Sequence, residues 1–276
     1  MEKRVLSQLT ALAHDRRLAV FRLLMRRFPD ALPAGEVARA LGLKASTLSV
    51  YLGALRAAGL ITQERHGTSL CYRADTAAAG GLVGFLFEEC CRSRPDITCL
   101  PNISQTKGKT MTYNVLFICS GNSARSIFAE CILREIAPDR FTVFSAGTRP
   151  NTELNPFAIR MLAAKGHDIS HLRSKHISEF QGEGAPVMDF VFTVCDRAAN
   201  ENCPAWRGQP ISGHWGQPDP VKATGTDAEK TLAFQQVYGA LHNRIHSFSM
   251  LPLESLDRVA LQSHVDRIGS LDGSGA

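Results

Sequence analysis

Cys119 and Arg125 bracket a stretch of residues suited to chemistry on an anion. The run Cys119-Ser120-Gly121-Asn122-Ser123-Ala124-Arg125-Ser126 begins with a nucleophile and closes on a forked cation. Between them Ser120, Gly121, Asn122, Ser123 and Ala124 are small enough for their amides to turn inward around a tetrahedral oxyanion. The Arg125 guanidinium can hold two of its oxygens at once. The Ser126 hydroxyl can hydrogen-bond the sulfur. The positive field of loop and helix start predicts a lowered thiol pKa and an available Cys119 thiolate. The bland alternative is a structural cysteine under an ordinary turn.

Such a loop has to be slung between a strand and a helix. Residues 115–118 form a short continuous apolar run, as in a parallel strand buried on both faces. Beyond the loop, Ile127, Phe128, Cys131, Ile132 and Ile136 recur at helical spacing. Further strands are expected at 141–144 and 188–194, with helices over 155–165, 227–247 and 253–268. Alternating strands and helices predict an α/β domain over residues 113–270, a parallel sheet flanked by helices with the loop at the strands' C-terminal ends.

With Gly121 and Asn122 inside the loop and Ser126 after it, these residues resemble the active-site loop of the low-molecular-weight tyrosine phosphatases and their arsenate reductase branch. Ser145-Ala146-Gly147-Thr148 and Asp219-Pro220 follow in that family's order. The resemblance implies that Cys119 attacks arsenate and that Asp219 protonates the departing oxygen. Two further cysteines, Cys195 and Cys203, are needed by a reductase and not by a phosphatase, because a disulfide supplies the two electrons. The thioredoxin-coupled branch implies attack by Cys195 on Cys119 with release of arsenite. Cys203 then attacks Cys195, and thioredoxin reduces the Cys195–Cys203 bridge. The spacing of Cys195 and Cys203 is one residue longer than in the best-known thioredoxin-coupled form, and Ala124 replaces a loop cysteine found there. Glutathione with glutaredoxin, or mycothiol, is the alternative reductant, and no cofactor bound for catalysis is expected. Some relatives hold potassium through residues matching Asn122, Glu130 and Ser145. Here Lys175 stands at an expected acidic ligand, and its ammonium can fill the same role. Cys131 and Cys71 read as buried thiols, and Trp215 as packing under the loop that carries Asp219.

The first hundred residues belong to a different unit. Residues 1–80 hold 12 Lys and Arg against 6 Asp and Glu, leaving 19 against 20 for the rest. The basic excess therefore lies in this part and points to a nucleic-acid partner. A helix is expected over 3–27, a second over 33–42, and a third from an N-cap at Ser46 to Ala58, ended by Gly59. The last two form a helix-turn-helix. Its reading helix offers Thr47, Ser49, Tyr51 and Arg56, with Lys44 and Ser46 at its start. Strands at 60–65 and 69–73 around a basic tip, with Arg65 and His66, make a wing. This order resembles the ArsR/SmtB family of metal-responsive repressors, the bland alternative being a winged helix used only for protein contacts.

The resemblance implies a dimer through the apolar helix expected over 82–93, an inverted-repeat operator, and release by a trivalent metalloid. Cys90, Cys91 and Cys99 can converge three soft thiolates on one As(III) or Sb(III) centre; zinc, or plain buried thiols, are the alternatives. Residues 101–112 read as the linker.

At 276 residues, 44% hydrophobic and 21% charged, the chain is ordinary globular material for two domains. No apolar run is long enough to span a bilayer, and a cytoplasmic location is expected. Eight cysteines there read as reactive or metalloid-binding rather than as disulfides. The expectation is an arsenite-responsive repressor fused to an arsenate reductase. The rivals are a tyrosine phosphatase tethered to DNA, and a regulator whose second domain binds an oxyanion without turnover.

Overall fold

A computed structural model describes residues 2–92, 112–201 and 206–271. The chain divides into two compact units, Met1–Gln105 and Thr106–Ala276. Cys99, Cys203 and nearly all of the expected linker lie outside the described residues.

In the first unit α1 (Glu2–Leu12) and α2 (Asp15–Arg26) replace the single helix expected over 3–27. His14 breaks it. Its backbone is extended and its ring nitrogen accepts the Arg16 amide at 3.2 Å, so the side chain caps a new helix. After the short β1 (Leu32–Pro33) come α3 (Ala34–Leu41) and α4 (Ala45–Ala57). Gly42, at φ 61°, supplies the left-handed residue that ends α3 and turns the chain into α4. The N-cap of α4 is Lys44 rather than Ser46, which falls inside the first turn; no side chain makes the cap bond.

The wing is β2 (Ile61–His66) and β3 (Ser69–Ala74), antiparallel with His66 opposite Ser69. β1 pairs with β3 as a third strand, which its two-residue length hid from any sequence pattern. Val20, Leu23, Leu24, Val37, Leu48, Leu52 and Leu55 form the core of this unit. The helix expected over 82–93 begins earlier, as α5 (Thr76–Phe85), because Asp75 caps it by accepting the Ala78 amide at 2.8 Å. It then widens into a π-helical turn over Leu86–Cys90 and ends at Cys91.

The second unit is built on four parallel strands in the order β5-β4-β6-β7. They are β4 (Tyr113–Cys119), β5 (Phe141–Gly147), β6 (Phe190–Thr193) and β7 (Ile211–His214), the last missed in the sequence. Its residues Ile211-Ser212-Gly213-His214 carry one strong strand former; Gly213 is there because a Cβ would sit 2.6 Å from Val265 on the covering helix. α6 (Arg125–Ile136), α7 (Pro156–Ala164), α8 (Asp196–Asn200), α9 (Asp227–Ser249) and α10 (Arg258–Gly269) complete the unit. α10 starts five residues later than expected, where Asp257 caps it through the Ala260 amide. Leu116, Phe117, Phe128, Phe192, Trp215 and Phe248 lie in one core. β4 is central and buried throughout its second half, so the loop at its end is held from below on a rigid support.

Candidate active site

The loop from Cys119 to Arg125 leaves β4 and enters α6 at the C-terminal edge of the sheet. Its carbonyls face outward. Cys119, Ser120, Gly121 and Ser123 accept backbone amides from Thr148, Arg149, Asn151 and Asn155 at 2.9–3.1 Å. That leaves the loop's own amides for the inside, and the Asn122 amide already points at Cys119 Sγ from 3.1 Å. The close approach of the two segments requires Gly147: a Cβ there would lie 2.7 Å from the Ser120 carbonyl oxygen.

Asn122 holds a left-handed backbone at φ 42°, which asparagine tolerates better than most residues. Its side chain is pinned on three sides, donating to Ser126 Oγ and Ser145 Oγ at 2.9 Å each and accepting the Lys175 amide at 2.6 Å. Behind it Glu130 is buried and accepts from Ser145 Oγ, the Lys175 ammonium at 3.0 Å and Arg134 at 2.7 Å. The Lys175 ammonium thus pairs with Glu130, while its backbone amide holds Asn122.

Cys119 is buried, with Sγ 2.9 Å from Ser126 Oγ. Burial pushes its thiol up, and Cys195 nearby adds to this, against the Ser126 hydrogen bond and the Arg125 charge that pull it down. The lowered pKa expected from the loop's positive field is therefore corrected: the thiol is enclosed far more completely than an exposed loop entrance would be. Arg125 Nη1 donates to the Gln217 carbonyl at 3.0 Å, and Nη2 meets Asp219 Oδ2 at 3.2 Å. Cys195 caps α8, its sulfur accepting the Ala198 amide at 3.4 Å and lying 3.6 Å from Ser120 Oγ.

Cys119, Ser120, Gly121, Ser123, Ala124, Arg125 and Asp219 share a cavity of about 390 Å³, whereas Asn122 and Ser126 support it from beneath. Arg149, Asn151, Arg197, Gln217 and Lys222 also line it and were not read from the sequence. Their only signal there was proximity to Gly147, Cys195 and Asp219. Trp215 is fully buried, stacked on Phe192 at 3.9 Å with Nε1 donating to the Val265 carbonyl, so its ring belongs to the core of the unit. Cys71 and Cys131 are buried, the latter with its thiol pushed up to about 12, chiefly by burial.

In the first unit Lys44, Ser46, Ser49, Arg56, Arg65 and His66 are exposed. Thr47 and Tyr51 are half-buried; Tyr51 packs on the core and against His14, ring centroids 5.1 Å apart, so it is less free than a surface reader. Arg56 donates to Gln63 at 2.6 Å, joining the reading helix to the wing. Val50, 69% exposed on that helix, is an apolar side chain the sequence reading passed over. Cys90 is exposed and Cys91 half-buried at the end of the π turn.

A thiol, a loop that turns its amides inward, an arginine and a carboxyl group are gathered at the end of a parallel sheet, an arrangement that can hold a tetrahedral oxyanion against sulfur. Residues 114–260 match the low molecular weight phosphotyrosine protein phosphatase model, and the chain belongs to that family. Residues 12–64 match a helix-turn-helix domain, so the chain is a fusion of the two. An arsenate reductase of Halalkalibacterium halodurans is 37% identical over 135 residues, 49% of this chain and 94% of that protein. A solved arsenate reductase in the phosphate binding state is 27% identical, covering 49% of this chain and 95% of that one, with a TM-score of 0.39. An ArsR-like transcriptional regulator from Rhodococcus sp. RHA1 is 22% identical over 33% of this chain and 84% of its own, with a TM-score of 0.30. Among the described residues no helix is long and apolar enough to cross a membrane.

Proposed function

We propose that the second unit reduces arsenate to arsenite, with Cys119 as nucleophile, and that the first is an arsenite-responsive repressor of the ArsR type. The observation that carries the enzymatic reading is the Cys195 sulfur 3.6 Å from Ser120 Oγ, beside the anion loop. A phosphatase returns its nucleophile by hydrolysis and has no use for a second thiol there. A reductase must take two electrons from somewhere.

Arsenate sits on the loop amides and Arg125, and Cys119 displaces one oxygen as water or hydroxide with a proton from Asp219. Cys119 attacks as its thiolate, once its proton has gone to solvent, and Ser126 and the Asn122 amide support that thiolate. Cys195 then attacks Cys119 Sγ; the arsenic–sulfur electron pair leaves with arsenite, and a Cys119–Cys195 disulfide forms. Cys203 attacks Cys195, freeing Cys119, and an external dithiol reduces the second disulfide. Thioredoxin fits the Cys195–Cys203 pair; glutathione with glutaredoxin, or mycothiol, is the alternative.

The first unit, as a dimer through α5, binds an inverted repeat with α4 in the major groove and the wing beside it. As(III) or Sb(III) taken by Cys90 and Cys91, with Cys99, is the releasing ligand. The product of one unit is then the signal of the other.

The rival reading, a tyrosine phosphatase, meets a specific objection. None of the described residues that line the cavity is aromatic, so no ring stands ready to stack on a phenyl ester. Arsenate-dependent NADPH oxidation with thioredoxin and thioredoxin reductase, run beside aryl-phosphate hydrolysis, tests the choice. The reductase reading expects the first activity to dominate. Hydrolysis alone would contradict it.

A further inference from the structure

Two arginines that the reaction above leaves unused, Arg149 and Arg197, line the same cavity as Arg125. The Arg149 amide donates to the Ser120 carbonyl at 2.9 Å, which fixes its backbone against the anion loop. Its side chain is held only loosely. It is 67% exposed and meets Glu201 Oε1 at 3.4 Å, and Arg197 Nε approaches the same oxygen at 3.9 Å. Exposed pairs at this separation are worth little, so an anion in the cavity competes readily for Arg149.

We propose that Arg149 is a second anion-binding residue, exchanging Glu201 for the outward oxygen of a free tetrahedral oxyanion and so selecting inorganic anions over their esters. This rests on the reading that the cavity holds such an anion. Three oxygens of a tetrahedral anion face the loop amides and Arg125, and the fourth points to the mouth, where Arg149 stands. In arsenate or phosphate that oxygen carries charge or a proton and can accept from a guanidinium. In a monoester it carries the organic group, which gains nothing from an arginine. Glu201 keeps the guanidinium at the rim until an anion arrives, and limits affinity by competing with it.

Titration calorimetry of the reduced full-length chain with inorganic phosphate and with phenyl phosphate tests this without turnover. Arg149→Ala is expected to weaken phosphate about tenfold and to leave phenyl phosphate within about twofold. Arg149→Lys keeps the charge but not the fork, and is expected to lose about threefold for phosphate alone. Glu201→Gln is expected to tighten phosphate about threefold, and clearly less in an Arg149→Ala background, where Arg197 alone is released. Equal losses for both anions, no loss for phosphate, or a Glu201→Gln effect of undiminished size without Arg149 would overturn the proposal. Binding of neither anion by the unaltered chain would overturn the oxyanion reading beneath it, and the proposal with it.

Discussion

Arg125 and Asp219 meet at 3.2 Å across the cavity, joining the proposed clamp for the anion to the proposed donor for its departing oxygen. The anion and the carboxylate therefore compete for one guanidinium. The group weakens anion binding in its charged form and can give up a proton only in its neutral form, so Asp219→Asn should separate the two effects.

Asp219→Asn should lower kcat for arsenate by about 10²–10⁴-fold through loss of the proton donor. Phosphate should inhibit the variant slightly more tightly, because Arg125 no longer shares its charge. Steady-state rates with phosphate as inhibitor measure both. An unchanged kcat would move the acid elsewhere.

The raised Cys119 thiol sets the pH dependence. A thiol held above its ordinary value is largely protonated at neutral pH, so kcat/KM should climb as pH rises into the alkaline range. Ser126 pulls the other way, through a 2.9 Å hydrogen bond to the sulfur. Ser126→Ala should therefore push the thiol higher still, displacing the rising limb to higher pH and lowering kcat/KM at pH 7 about tenfold. Iodoacetamide alkylation of Cys119 against pH gives the same displacement without substrate.

Lys175 and Glu130 form a buried pair at 3.0 Å, with side chains 9% and 3% exposed. Lys175→Ala leaves a buried carboxylate short of its cation and should cost about 3–5 kcal/mol of stability. Adding Glu130→Gln should recover part of the loss, since no charge is then stranded. Thermal melts of the two variants decide it. Equal melting temperatures for Lys175→Ala and the unaltered chain would mean Arg134 alone neutralises Glu130.

The expected anion loop was legible because its chemistry is local. Residues 119–126 are contiguous, and the apolar run before them has the length and composition of a buried strand. Ser145, Gly147 and Asp219 were reached by resemblance in order along the chain. Arg149, Asn151 and Lys222 were not, because a lining residue on a crossover loop has no period or spacing of its own. β7 was missed for a similar reason: Gly213 suits a crowded neighbour and not a strand pattern. The direction of the Cys119 shift also escaped, since burial depends on how tightly residues 147–155 close over the loop. In the first unit the helix-turn-helix was plain from Gly42 and the apolar spacing. The break at His14 was hidden because a capping ring interrupts an apolar stripe without changing its phase.

Arsenite should release the first unit from operator DNA, because drawing Cys90 and Cys91 onto one pyramidal centre strains the π turn they close. Arsenate should release it only through the chain's own catalysis. Fluorescence anisotropy on labelled operator separates the cases. Release of Cys119→Ser by arsenate with reductant present would show that the sensor does not wait for the reductase.

A count of arsenite formed per chain tests the central claim most directly. The pre-reduced protein is mixed with excess arsenate without external reductant and quenched rapidly. About one arsenite per chain is predicted, with the disulfide left on Cys195 and Cys203. Cys203→Ser should also give about one, with the disulfide left on Cys119 and Cys195. Cys195→Ser should stall before arsenite leaves, and Cys119→Ser should give none. Arsenite from Cys119→Ser, or none from the unaltered chain while it hydrolyses aryl phosphate, would contradict the account.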